Sequence, residues 1–136
     1  MGLMKIGMVG SFNYSNITRI KDMLITLRDS LDTELTILSG GGAVGAEKVV
    51  RKYCLEFNIK YLEFNPACTA YNGYSAMPRE FYDKPRHGSH FIHRYMMLAS
   101  TADKLIVFAN KNEDTSFFNA AIKKMQKRNK KVVIVN

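Results

Sequence analysis

The chain has 136 residues, with 20 Lys and Arg against 12 Asp and Glu and a formal net charge of +8. That length fits one domain, residues 1–136, able to bury roughly two thirds of the surface its unfolded chain exposes. No run of about 18 apolar residues occurs, so no membrane partner is expected, and the two cysteines, Cys54 and Cys68, form neither a disulfide framework nor a zinc signature.

A reducing, cytoplasmic setting is therefore expected. The basic balance favours anionic partners: nucleotides, nucleic acid or an acidic surface.

Residues 3–10, "LMKIGMVG", read as a buried first strand. The apolar stretch is short and no small-residue cleavage site follows, unlike a signal peptide. Ile17, Ile20, Leu24, Leu27 and Leu31 recur at spacings of three and four, which predicts an amphipathic helix. Asn13, Ser15 and Asn16 are its candidate caps, and Asp22, Asp29 and Asp32 belong to its polar face.

"ELTILS" is the second strand, and the turn "SGGGAVGAE" (Ser39 to Glu47) follows it. Ala46, Val49, Val50, Tyr53, Cys54 and Phe57 then form one apolar helix face. "IKYLEFN" is a third strand, stopped by Pro66.

From about 65 to 89 neither period appears, and loops this long in compact domains are often lids or binding loops. The segment is aromatic and basic, and it leaves the C-terminal side of the third strand, where open α/β folds bind ligands. It packs as a surface excursion or closes as a lid. The candidate lid residues are Tyr71, Tyr74, Arg86, His87 and His90.

"PRHGSHFIHR" spaces His87, His90 and His93 by three. A helix starting near Ser89 puts His90, His93 and Arg94 on one face. No acidic or cysteine partner stands nearby, so no metal site is expected. Arg94 suits anion recognition, its guanidinium forking a phosphate.

"KLIVFAN" and "KKVVIV" are the fourth and fifth strands. Phe118, Ala121, Ile122 and Met125 line the helix between them, with Asp114, Thr115 or Ser116 as its cap. The six Lys and Arg between Lys123 and Lys131 read as a solvated helix face and a lysine-protected edge strand, with nucleic-acid contact as the alternative.

Strands alternating with helices predict an α/β fold: a Rossmann-like three-layer sandwich around a five-stranded, mainly parallel sheet of order 3-2-1-4-5.

Within that frame, strand, glycines and helix form a phosphate-binding layout. Bare backbone lets a ligand approach, and the first helical N–H groups are unpaired and favoured by the helix dipole for an anion. Gly40, Gly42 and Gly45 fit G-x-G-x-x-G, with Glu63 near the position of a ribose-binding acid. The turn follows the second strand and lacks Gly-Lys-Ser/Thr, so it is not a P-loop. Three adjacent glycines exceed what a tight turn needs, which points to ligand approach. Gly42→Val is expected to block a ligand while leaving the fold intact.

"SGGGAVGAEKVV" resembles the "SGGA-x-GAD" signature of the SLOG superfamily, in its stand-alone YspA-like branch. Gly41, Gly42 and Ala43 match the "GGA"; Gly45, Ala46 and Glu47 match the "GAD". Gly10, Ser11, Phe12, Asn13 and Tyr14 stand where the family's first strand ends in "TGGR-D-Y". Arg94, Met97, Ala102, Asp103 and Thr115 follow in the family's order.

The resemblance implies a domain that senses or processes nucleotide derivatives, NAD-derived or cyclic species included. Its implied ligand shell is Gly10, Ser11, Phe12, Tyr14, Ser39, Gly40, Gly41, Gly42, Ala43, Gly45, Glu47, Arg94 and Thr115. Backbone N–H groups at Gly41 to Gly45 would hold a phosphate, and Tyr14 and the loop tyrosines would stack a base.

The related phosphoribohydrolases carry "PGGxGTxxE". Here Asp114-Thr115 replaces the Gly-Thr, and Asn119 stands without an acid in the matching turn. Phe12, Tyr95 and Glu47 replace an arginine, an asparagine and an aspartate. The expectation is a non-catalytic sensor or sequestering protein with no cofactor and no assigned catalytic residue. A second copy of the chain is a further candidate partner. A nucleotide N-glycosidase and a nucleic-acid-binding protein are the alternatives, the latter because the superfamily includes a single-strand DNA-loading protein.

Overall fold

The computed structural model describes residues 3–30 and 34–136, so Leu31 and Asp32 lie outside the described residues. In chain order the elements are β1 (Leu3–Gly10), α1 (Ile17–Ser30), β2 (Glu34–Ser39), α2 (Ala46–Glu56), β3 (Lys60–Glu63), α3 (Ser89–Thr101), β4 (Lys104–Phe108), α4 (Asn119–Lys127) and β5 (Lys131–Val135). The five strands form one sheet of order β3-β2-β1-β4-β5, and every ladder is parallel. The direction of winding reverses between β1 and β4, whose C-terminal ends therefore flank a crevice.

Period-two alternation divides each inner strand between two cores. Ile6, Met8, Ile37, Ile106 and Phe108 join Ile20, Leu24, Val50 and Cys54 on the side of α1 and α2. Val9, Leu38, Leu105 and Val107 join Leu98, Ala121 and Met125 on the side of α3 and α4. The result is a helix-sheet-helix sandwich. Burial pushes the Cys54 thiol up to about 12, so this cysteine is inert core.

Asn16 caps α1: its Oδ1 accepts from the Arg19 N–H at 3.2 Å. Before α4 the cap is Asp114, whose Oδ1 accepts from the Ser116 N–H at 2.9 Å, and the first turn, Ser116–Phe118, is a 3₁₀-helix.

The segment after β3 contains a short 3₁₀-helix at Arg79–Phe81 and one bridge between Glu63 and Ser75. It is tied down along its length. The Glu63 N–H donates to Tyr74 O and the Ala76 N–H to Glu63 O, both at 2.7 Å; the Asp83 N–H reaches Thr69 O and the Lys84 N–H reaches Ala67 O, both at 3.0 Å. The buried Glu63 carboxylate accepts from Tyr61 Oη at 2.8 Å, Asn65 Nδ2 at 2.9 Å and Asn72 Nδ2 at 3.1 Å. Glu63 thus anchors this loop and is not presented to a ribose.

Candidate functional site

A cavity of about 570 Å³ opens at the C-terminal ends of the strands, where the winding reverses. Gly10, Ser11 and Phe12 line it after β1, Gly41 to Val44 after β2, and Pro66 and Thr69 after β3. Glu113, Asp114, Phe117 and Phe118 line it after β4. Glu47 comes from the first turn of α2; Phe91, Arg94 and Tyr95 come from α3.

Glu47 is the hub of the floor. It is 2% exposed and accepts from Tyr95 Oη at 2.6 Å, the Gly42 N–H at 2.8 Å and, more weakly, the Gly10 N–H at 3.4 Å. Burial pushes its carboxyl above the usual carboxylate range, against the pull of the Arg94 guanidinium, the Tyr95 hydroxyl and the two N–H groups. Burial and the neighbouring Glu47 charge raise the Tyr95 phenol as well.

The glycines are explained chiefly by the protein's own atoms. A Cβ at Gly40 would stand 2.6 Å from the Tyr95 ring, and one at Gly42 would stand 2.9 Å from Glu47 Oε1. Gly45 has φ +73, and a Cβ there would land on the Phe12 backbone. Gly45 thereby lets the end of β1 sit against the start of α2, where the Ala46 N–H donates to Ser11 O at 3.1 Å. Packing within the chain therefore calls for glycine at these three positions whether or not a ligand approaches the turn. Gly42→Val would press on the Glu47 carboxyl, so it disturbs the Glu47 hydrogen bonds as well as the turn.

The anion grip moves along the turn for the same reason. The Gly41 N–H donates to Ser39 Oγ at 3.2 Å and the Gly42 N–H to Glu47. The N–H groups of Ala43, Val44 and Gly45 have no partner among the described residues. Beside the turn, Arg94 Nη1 donates to Gly40 O at 3.1 Å and its Nε to Phe91 O at 3.2 Å, while its Cζ lies 4.5 Å from the Tyr95 ring centroid. Those contacts fix the guanidinium at the cavity wall, beside the Tyr95 hydroxyl.

At the opposite wall, Ser11 Oγ donates to Glu113 Oε1 at 3.0 Å, and the Asn110 N–H donates to the same oxygen at 2.7 Å. Hydrogen bonds from the Ser116 N–H and hydroxyl hold the exposed Asp114 carboxyl below its usual range. Asp114 thereby closes the start of the helical turn that precedes α4.

Of the residues expected to form the ligand shell, Gly10, Ser11, Phe12, Gly41, Gly42, Ala43, Glu47 and Arg94 line the cavity. Ser39, Gly40 and Gly45 shape its floor from behind. Thr115 lies beside it and accepts from the Phe118 N–H. Tyr14 is 6% exposed with its ring 5.4 Å from Phe108 in the core, so it has no face to offer a base.

The candidate lid residues pack mainly on the chain's own side chains. Tyr74 packs on Tyr61 under Arg51, Tyr71 packs on Tyr82 under Arg79, and His87 sits beside His90. Arg86 covers the outer side of Phe91 at 4.9 Å. Hydrogen bonding along the loop holds it to the sheet edge, and only Pro66 and Thr69 of it reach the cavity.

Val44 lines the cavity within the expected turn, and Pro66, Thr69, Phe91, Tyr95, Glu113, Asp114, Phe117 and Phe118 complete the lining without having been expected there. The fold brings them in from separate loops. Phe12 and Phe117 are signalled by exposure, 76% and 50%, which is unusual for phenylalanine.

No family model and no curated protein sequence matches the chain. Among solved structures, the molybdenum cofactor binding protein from the phototrophic bacterium Rippkaea orientalis is similar over 96% of this chain and 75% of its own, with 15% identity and a TM-score of 0.67. The likeness is one of fold. Among the described residues no helix is long and apolar enough to cross a membrane, and no three His, Cys, Asp or Glu side chains converge as a metal site requires.

Proposed function

We propose that this chain is a SLOG-type domain that binds a nucleotide-derived small molecule without turning it over, as a sensor or sequestering protein. The carrying observation is the cavity at the winding reversal, walled by Phe12, Phe91, Tyr95 and Phe117 and bounded by unpaired N–H groups and Arg94. Aromatic walls suit a flat ring, and the N–H groups of Ala43 to Gly45 with the Arg94 guanidinium suit a phosphate. The order of the SLOG-like motifs supports the reading, as does a cofactor-binding neighbour that shares the fold. The engagement of both Asp114 oxygens by Ser116, with no acid at Asn119, supports the non-catalytic side of this reading.

The test combines mass spectrometry of small molecules released from the purified protein with calorimetry on 5′-mononucleotides. A phosphorylated ligand is expected in the released fraction, and Arg94→Met is expected to weaken nucleotide binding roughly tenfold, the scale of one charge-assisted contact. Steady production of free base would overturn the non-catalytic reading. Failure to bind any nucleotide would overturn the whole.

A further inference from the structure

The protein carries a net charge of +8, yet its cavity is lined by three carboxylates, Glu47, Glu113 and Asp114, against one guanidinium, Arg94. Counting Glu47 as neutral still leaves two acids facing one base. Glu113 uses only Oε1 in its bonds to Ser11 and Asn110, so Oε2 faces no protein donor among the described residues.

The aromatic rings make the same contrast. Lysine or arginine groups stand over Tyr53, Phe57, Tyr71, Tyr74, Phe91 and Tyr95 at 4.5 to 5.7 Å. In a basic protein, rings are readily covered by its own cations. Phe12 and Phe117 are the exceptions at the cavity mouth. Both are half or more exposed, neither carries a protein cation among the described residues, and Phe117 lies in the segment that supplies Glu113 and Asp114. Phe12 follows Ser11, the partner of Glu113; Phe117 follows Asp114 by three residues. The cavity lining thus combines one guanidinium and the start of α2 with two uncovered π faces and the carboxylates beside them.

We infer that the ligand is a dipolar nucleotide whose heteroaromatic ring is positively charged, the ring held against Phe12 and Phe117 beside Glu113 and the phosphate held by Arg94 and the turn before α2. This rests on the binding function proposed above and adds the charge of the ring. A π face attracts a cation through its quadrupole, and an adjacent carboxylate adds direct attraction. A neutral ring gains only stacking.

Two matched pairs of nucleotides separate charge from shape. These are 7-methylguanosine 5′-monophosphate against guanosine 5′-monophosphate, and 1-methyladenosine 5′-monophosphate against adenosine 5′-monophosphate. Within each pair the members share the phosphate and ribose and differ by one methyl group and one ring charge. Calorimetry at neutral pH is expected to give the cationic member roughly tenfold tighter binding in at least one pair. That ratio should fall below about twofold in Glu113→Gln and in Phe12→Leu, the latter a change at a solvent-facing side chain. Equal binding within both pairs would overturn the inference and leave the nucleotide-binding function standing. A preference untouched by either substitution would also overturn it, because the ring would then lie elsewhere. Absence of binding by all four would remove the nucleotide reading, and this inference with it.

Discussion

Glu47 unites the turn and α3 through one buried carboxyl. Its location in the "GAD"-like stretch was legible in the sequence, but its chemistry was not, because its partner Tyr95 lies 48 residues away and only the fold brings them together. The same holds for the glycines: their number suggested an approaching ligand, whereas the protein atoms that approach them closely belong to Asn65, Phe12, Tyr95 and Glu47. Burial outweighs the hydrogen bonds to Glu47, so its carboxyl titrates above its unfolded value of about 4.3. The sign follows from linkage. A carboxyl with a raised folded pKa contributes stability that is fully present below the unfolded pKa and is lost as pH rises through the folded one. In Glu47→Gln the amide oxygen can still accept from Gly42, and its NH₂ can donate to a reversed Tyr95 hydroxyl. Urea unfolding from pH 4 to 8 is expected to find the Gln variant gaining on the wild type as pH rises. A stability difference constant with pH would mean that Glu47 titrates alike in the folded and unfolded chains.

At the level of elements, the strands and helices were readable because periods of two and of three-to-four residues persist along them. The 65–89 segment was readable only as an exception. Its aromatic and basic composition resembles a lid, but its backbone pairs with the edge of β3 and its tyrosines lie under arginines, contacts that composition does not encode. Arg128 makes a similar point within the basic run from Lys123 to Lys131. Its Nη1 donates to Ala99 O at 2.5 Å and Ala102 O at 2.8 Å, so it closes the carbonyl end of α3 across the α3–α4 contact. Charge counting gives it to a solvated face, but the structure makes it a cap. Arg128→Met is expected to lower stability by about 1–2 kcal/mol, allowing for its partial exposure, while Lys127→Ala on the exposed side stays within about 0.5 kcal/mol. Equal thermal shifts in the two variants would show that the carbonyl contacts contribute nothing.

Across the whole molecule, strand order was legible because right-handed crossovers and a single reversal leave few alternatives. The cavity's position followed from that order, but its lining did not, since six parts of the chain supply it. Topology also separates the two charged regions. Lys104, Lys130 and Lys131 sit where β4 and β5 begin, paired in register, whereas the cavity lies where β1 and β4 end. A five-residue strand spans about 15 Å. The Debye length at physiological salt is about 8 Å, so these lysines are screened from a ligand beside Arg94. The double substitution Lys130→Gln, Lys131→Gln is therefore expected to change mononucleotide affinity less than about twofold at 0.15 M salt, while Arg94→Met loses roughly tenfold. Single-stranded DNA bound through phosphate contacts would behave oppositely, weakening with the lysine changes and falling steeply with salt whatever the base. Calorimetry of both ligands on both variants separates the cases. If the lysine pair governs mononucleotide binding, the ligand lies at the beginning of the strands and the cavity assignment is wrong.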